Sequence, residues 1–290
     1  MTRVLHLSDP HVTATGTDMD GVDAVASLER ILYDVRHVPG LDLVVVSGDI
    51  ADDGSSAGYA AVRDRVGAFA ASRGIRHIYS TGNHDDRTNF KAVLGSGHLD
   101  PDGRDIGKLL DEAGETRAAV SSLGGFRVVT LDSLVPGKGH GLVDADQLAW
   151  LSTLLATPAA DGTILVFHHP PLRIASLPYV EEVVLQNIGE LADVVRDTDV
   201  RVILTGHLHL QASGFLAGVP VWVTPGVVTR IDTTAPPHIV RGVLGASATV
   251  VDLEDPLAPT FHLLSARDPR AGEHVYTYDP ITGNDITDEP

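Results

Sequence analysis

Short unbroken apolar runs alternate along the chain with longer stretches in which apolar residues return every three or four positions. That is the signature of strands alternating with amphipathic helices. Residues 3–7 read as a strand, and over 22–37 Val22, Val25, Leu28, Ile31, Leu32 and Val35 fall on one helical face. The run 43–46, "LVVV", suits a strand buried on both faces. A second helix is predicted over 56–73 and a strand over 76–79. Gly124 and Gly125 form a hairpin-like link between strands 118–122 and 126–131. Asp144 is the predicted N-cap of a helix carrying Leu148, Trp150, Leu151, Leu154 and Leu155. Strands at 164–167 and 202–204 follow, then β-rich sequence from 211 to 264. The alternation predicts an α/β sandwich. With no internal repeat and no linker, residues 1–278 read as one domain, and the acidic tail 279–290 is expected to be loosely ordered.

Composition narrows the function. The 290 residues are 43% hydrophobic, with a mean hydropathy near zero. No apolar run approaches the roughly 18 residues of a membrane span. The first residues enter a strand at once, without the regions of a secretory signal. The chain has no cysteine, which excludes disulfides, zinc-thiolate sites and thiol nucleophiles and fits the cytoplasm. The net charge of −18 would repel a nucleic-acid polymer. A small anion is still an acceptable partner, provided the site itself concentrates positive charge.

The candidate chemistry lies where strands end. "VLHLSDPH" ends in Asp9 and His11, "VVVSGD" in Asp49, "IYSTGNH" in Asn83 and His84, "ILVFHH" in His168 and His169, and "VILTGHLH" in His207 and His209. The crevice beyond the carboxyl ends of strands is where α/β sheets bind ligands. Any one of these endings is common in turns and caps. Five strand ends that all deliver Asp, Asn or His are not explained by folding needs alone.

The ordered set D-x-H, G-D, G-N-H-D, H and G-H-x-H resembles the calcineurin-like metallophosphoesterases. "GNHDDR", "VPGKGHG", "ATPAADGTIL", "HHPP", "DTDVR" and "GHLH" look more particularly like the actinobacterial class III cyclic nucleotide phosphodiesterases. The resemblance implies a four-layer αββα sandwich of two mixed sheets with two metal ions between them, and it suggests a homodimer. It assigns Asp9, His11 and His209 to one ion, Asn83, His168 and His207 to the other, and Asp49 to both. The ions would be iron, manganese, zinc or cobalt, which Asp, Asn and His ligation suits. The implied activity is hydrolysis of 3′,5′-cyclic nucleotides to 5′-monophosphates by a metal-bridging hydroxide. Other small diesters, such as glycerophosphodiesters or 2′,3′-cyclic nucleotides, fit the same centre; a metal-free binding scaffold would have lost these ligands.

Departure of an alkoxide calls for a proton donor outside the metal shell. His84 has that chemistry, and Asp85 is the expected partner orienting its ring. His169 is left out of the ligand set, because pleating should turn it away from His168. Lys138 and His140 sit on a Gly-rich loop that either reaches substrate or is simply exposed. Arg87 reads best as part of a structural ion pair, and His6 as a core histidine.

Overall fold

Strand β2 (Leu43–Ser47) is buried along its whole length, and the reason lies in what covers its two faces. In the computed structural model, which describes residues 2–236, 238–255 and 258–286, β2 pairs in parallel with β1 (Arg3–Leu7) and β3 (Arg76–Ser80). Val4, Leu43, Val45 and Ile78 point one way, into a core shared with a second sheet. Leu5, Leu7, Val44 and Val46 point the other way, onto α1 (Ala24–Asp34) and α2 (Ser56–Ala71). Each such buried aliphatic side chain contributes about 1.5–3 kcal/mol. The period-2 alternation thus feeds two cores at once, and a polar face has no place on these strands.

The remaining elements complete the layers. They are α3 (Arg87–Leu94), β4 (His98–Leu99), β5 (Lys108–Leu109), β6 (Ala119–Leu123), β7 (Phe126–Thr130), α4 (Ala145–Leu155), β8 (Gly162–Val166), α5 (Ile188–Val195) and β9 (Val200–Thr205). After them come β10 (Ala212–Leu216), β11 (Val219–Val223), β12 (Thr229–Ile231), β13 (Val240–Leu244), β14 (Ser247–Asp252), β15 (Thr260–Ser265) and β16 (His274–Tyr278). One mixed sheet runs β15-β14-β1-β2-β3-β4 and the other β10-β11-β9-β8-β7-β6-β5. Leu165 and Ile203 of the second sheet pack outward against Leu151 of α4 and Leu191 of α5. The order is helices, sheet, sheet, helices, which is the αββα sandwich expected. Among the described residues no helix is long and apolar enough to cross a membrane.

Caps explain the helix starts. Asp144 accepts from Gln147 N at 2.9 Å, as its position before the apolar stripe predicts. Asp23 caps α1 from Ala26 N at 2.8 Å, so the helix begins at Ala24 rather than at 22, and its last turn, Val35–His37, tightens to a 3₁₀ helix. The eight-residue helices α3 and α5 were not anticipated, being too short to show a stripe over more than two turns.

A third, three-stranded sheet, β12-β13-β16, was also unforeseen. It resolves the β-rich sequence after 211 into separate jobs, with β14 and β15 joining the first sheet and β10 and β11 the second. The acidic segment after β16 turns back on it. Asp279 N donates to Asn284 O at 3.0 Å and Ile286 N to Thr277 O at 2.9 Å, while 287–290 lie outside the described residues.

Some histidines serve the frame alone. His98, on the edge strand β4 of the first sheet, reaches across to the second, pairing with Ser121 Oγ at 2.7 Å and Thr130 Oγ1 at 3.0 Å. Burial, only partly offset by Asp105, pushes its pKa down to about 3. The unfolded chain therefore takes up this proton near pH 6.5 while the folded one refuses it, so the wild type loses stability as pH falls below about 6.5. His98→Gln cannot lose that increment. Its stability deficit at pH 7 should shrink by about 2 kcal/mol at pH 5, at about 1.4 kcal/mol per pH unit. Urea unfolding at the two pH values tests this, and a deficit independent of pH would refute the buried neutral state.

Candidate metal centre

The chain reverses sharply at most of the strand-end residues. Asp9, His11, Asp49, His207 and His209 all have left-handed backbone, with φ between 46° and 70°. Among the described residues only Asp197 and Ala217 share this without being glycine. The conformation costs about 1–2 kcal/mol per residue, and its concentration here turns these side chains into one crevice between the sheets. Neighbouring loops run together to hold it, with Asp9 N donating to Gly48 O and His11 N to Asp49 O. Gly48, at φ +90°, is required: a Cβ there would lie 2.5 Å from His168 Nδ1. At Gly82 a Cβ would overlap the Asp49 carboxylate.

All seven predicted ligand residues meet in this crevice. His11 Nε2 lies 3.0 Å from His209 Nε2, and His209 Nε2 lies 3.5 Å from Asp9 Oδ1. In a second group His168 Nε2 lies 3.2 Å from Asn83 Oδ1, 3.2 Å from His207 Nδ1 and 3.1 Å from Asp49 Oδ2. Asp49 Oδ2 is also 3.7 Å from His11 Nε2, so it reaches both groups. Bonds of about 2.0–2.2 Å to one cation put neighbouring donor atoms roughly 3–3.5 Å apart.

Hydrogen bonding points the same way. His168 Nδ1 faces the Ser47 carbonyl at 2.7 Å, and His11 Nδ1 faces the Asp52 carboxylate at 2.7 Å. Both oxygens only accept, so in the neutral rings each Nδ1 carries the hydrogen and each Nε2 presents a lone pair. In that state the lone pairs point at other acceptors, an arrangement that only a proton or a cation between them relieves. Electrostatics agree: burial opposes the charged form of His168, yet Asp49 and Asp9 outweigh it and push its pKa up to about 9. The donor set therefore fits two metal ions.

The profile of the calcineurin-like phosphoesterases matches residues 2–211. The chain belongs to that family. This phosphoesterase is 40% identical over 222 residues to a probable cyclic nucleotide phosphodiesterase of Rhodococcus erythropolis, covering 76% of this chain and 69% of that one. It is 38% identical over 248 residues to a cAMP/cGMP dual specificity phosphodiesterase of Mycobacterium tuberculosis, covering 84% and 73%. Among solved structures, a purple acid phosphatase from yellow lupin seeds superposes with a TM-score of 0.60 at 14% identity. That match covers 100% of this chain and 56% of the lupin one, and it speaks for the fold alone. The family uses a dinuclear metal centre, and the His/Asp groups here are of a kind that could hold metal ions.

The geometry corrects one expectation about the proton donor. Asp85 does not orient His84. Its carboxylate accepts from Gly82 N at 2.8 Å and from Ile50 N and Ala51 N at 3.1 Å, stapling the Asp49 and Asn83 loops together. The carboxylate beside His84 belongs to Asp52, whose Oδ1 is 2.9 Å from His84 Nδ1 as well as 2.7 Å from His11 Nδ1. From protein charges alone, burial disfavours the His84 imidazolium, but Asp49 and Asp52 overcome it and push the pKa up to about 10. Asp52 went unnoticed because "DIADD" reads as a polar loop, and only the fold sets its third residue after Asp49 against two imidazoles.

His169 also differs from expectation. It does not turn away: its ring centroid is 4.5 Å from that of His207, and Ser133 Oγ is 2.8 Å from its Nδ1. Arg87 makes the expected ion pair, gripping Asp132 through Nε at 2.7 Å and a terminal amino group at 3.0 Å. Thr229 of β12, not anticipated, lies 2.8 Å from His209 Nδ1. Lys138 is exposed, and neither it nor His140 lines the cavity above the centre, whose volume is about 480 Å³.

Proposed function

We propose that this phosphoesterase hydrolyses 3′,5′-cyclic nucleotides, cAMP and cGMP, to 5′-monophosphates in the cytoplasm. The observation that carries the reading is the pair of acceptor groups sharing Asp49 at the base of a cavity large enough for a nucleotide. The names of its relatives support the substrate class. In this reading Asp9, His11 and His209 would hold one ion, Asn83, His168 and His207 the other, and Asp49 would serve both. Iron, manganese, zinc and cobalt are the candidate metals for such a donor set. When bound, two such ions supply positive charge for the phosphate and lower the pKa of water at the centre to near neutrality.

The protein's own residues do the rest. Two divalent ions held here would outweigh the charges of Asp9 and Asp49, and the positive charge left over would suit a diester monoanion in spite of the acidic surface. His84 lines the cavity beside Asn83 and Asp49 and donates its proton to the leaving 3′-oxygen as the P–O3′ bond breaks. Asp52 holds that ring and its proton in place. The incoming oxygen completes the 5′-monophosphate.

The test combines metal analysis with kcat/KM for 3′,5′-cyclic AMP, 2′,3′-cyclic AMP and a glycerophosphodiester. Stoichiometric metal, inhibition by chelator and preference for 3′,5′-cyclic AMP are expected. A ranking with 3′,5′-cyclic AMP slowest by orders of magnitude would transfer the activity to another diester. Absence of both metal and chelator-sensitive activity would leave only a binding scaffold.

A further inference from the structure

The cavity extends well past the metal centre, and its far wall is built from parts of the chain beyond the family-matched segment. Tyr276 and Tyr278 of β16, with Ile231 and Val240 from the other strands of the small sheet, line it there. Tyr179, in the 3₁₀ turn Pro178–Glu182, lines it as well. Tyr276 and Tyr278 are two apart on one strand, so both rings share a face, with centroids 5.9 Å apart and planes inclined at 35°. Tyr276 is held in place from behind. It pairs across the ladder with Gly242, where any Cβ would collide with its ring. No Lys or Arg is among the described residues lining the cavity, while Asp18, Asp20 and Asp285 offer acceptors. Such a wall disfavours a second anion and suits an uncharged or cationic group with a flat apolar face and N–H donors at its edge.

Resting on the cyclic-nucleotide reading above, we infer that the nucleobase of the substrate stacks on this tyrosine wall, making Tyr278 and Tyr179 determinants of specificity. Adjacent rings on one strand make a shelf rather than a box of facing rings, which favours a planar base over the quaternary ammonium head of a glycerophosphodiester. Stacking reads the face of a base and is tolerant of its edge, so adenine and guanine fit alike. The acidic rim suits the exocyclic amine that both carry.

The experiment compares wild type, Tyr278→Ala and Tyr278→Phe on 3′,5′-cyclic AMP, methyl p-nitrophenyl phosphate and glycerophosphocholine. Tyr278→Ala should lower kcat/KM for cyclic AMP by about 10–100-fold, chiefly through KM, the range expected for one lost base–aromatic stack. Its loss on the base-free methyl diester should be at least tenfold smaller. Tyr278→Phe, which keeps the ring, should recover most of the cyclic AMP activity. Tyr179→Ala provides the same comparison from a separate element should Tyr278→Ala fail to fold. Parallel losses on cyclic AMP and the methyl diester would overturn the inference and leave the proposed function standing. A larger loss on glycerophosphocholine than on cyclic AMP would make the wall a cation cage, also against it. A wild type that cleaves the methyl diester but no cyclic nucleotide would end the proposed function, and the base site with it.

Discussion

Asp49→Asn is expected to abolish turnover and stoichiometric binding of both metals and to lower the stability of the fold in chelator. Asp49 is the carboxylate that reaches both donor groups most closely, through a single oxygen 3.1 Å from His168 and 3.7 Å from His11; Asp9 Oδ1, 3.5 Å from His209, is 3.9 Å from His168. Substituting residues that merely support a ligand costs about 10–100-fold in metal affinity, and losing a shared ligand should cost more at each of two sites. Activity should then fall by more than about 10⁴-fold, because water freed from the ions returns toward a pKa of about 15.7. Stability should fall as well. Burial disfavours the Asp49 charge, but His168, His84 and His11 outweigh it and hold the carboxyl well below its ordinary range, so the charge stabilises the folded protein even without metal. Removing it relieves the repulsion that helps push the Asp85 pKa up to about 6, but it takes the partner from the imidazoles. Melting curves with chelator and with added metal give the decision: the wild type should gain Tm on metal addition and the variant should not. A variant that still binds two metals stoichiometrically would remove Asp49 from its bridging position.

His84→Ala carries the second large effect, and it should separate chemistry from metal binding. Loss of a general acid costs about 10²–10⁴-fold in rate, and here the cost should fall on the leaving group. With 3′,5′-cyclic AMP, whose 3′-alkoxide leaves poorly, kcat should drop by that amount. With an aryl diester, whose phenolate needs no proton, the drop should stay within about tenfold. Metal content should not change, because the His84 contribution to the centre is its backbone N–H, which donates to Asp49 Oδ1 at 2.9 Å and survives the substitution. Asp52 also keeps partners in His11 Nδ1 and Met19 N. Asn83→Ala is the contrasting variant: its Oδ1 faces His168 Nε2 at 3.2 Å, so it should lose the second metal with all substrates affected alike. If His84→Ala lost metal and Asn83→Ala kept it, the two roles would be exchanged.

Most strands of the two large sheets, three of the five α-helices described and the seven proposed ligands were legible along the chain because each depends on short-range rules. A buried strand announces itself by an apolar run such as residues 43–46, and a cap by Asp144 standing before a helical stripe. A ligand announces itself as an Asp, Asn or His at a strand's carboxyl end, often behind a glycine. What could not be read there was which loops lie side by side. Asp85 follows His84 directly, yet its carboxylate is consumed by three backbone amides, and the His84 ring is met by Asp52 from the neighbouring loop. The small sheet brings β16 across to β13, and so two tyrosines more than sixty residues beyond the last proposed ligand wall the substrate cavity. Residue type and local periodicity determined what the chain could do at each strand end. The left-handed turns and the packing of loops between two sheets decided which side chains meet, because contact across a tertiary interface depends on distances in space that spacing along the chain does not encode.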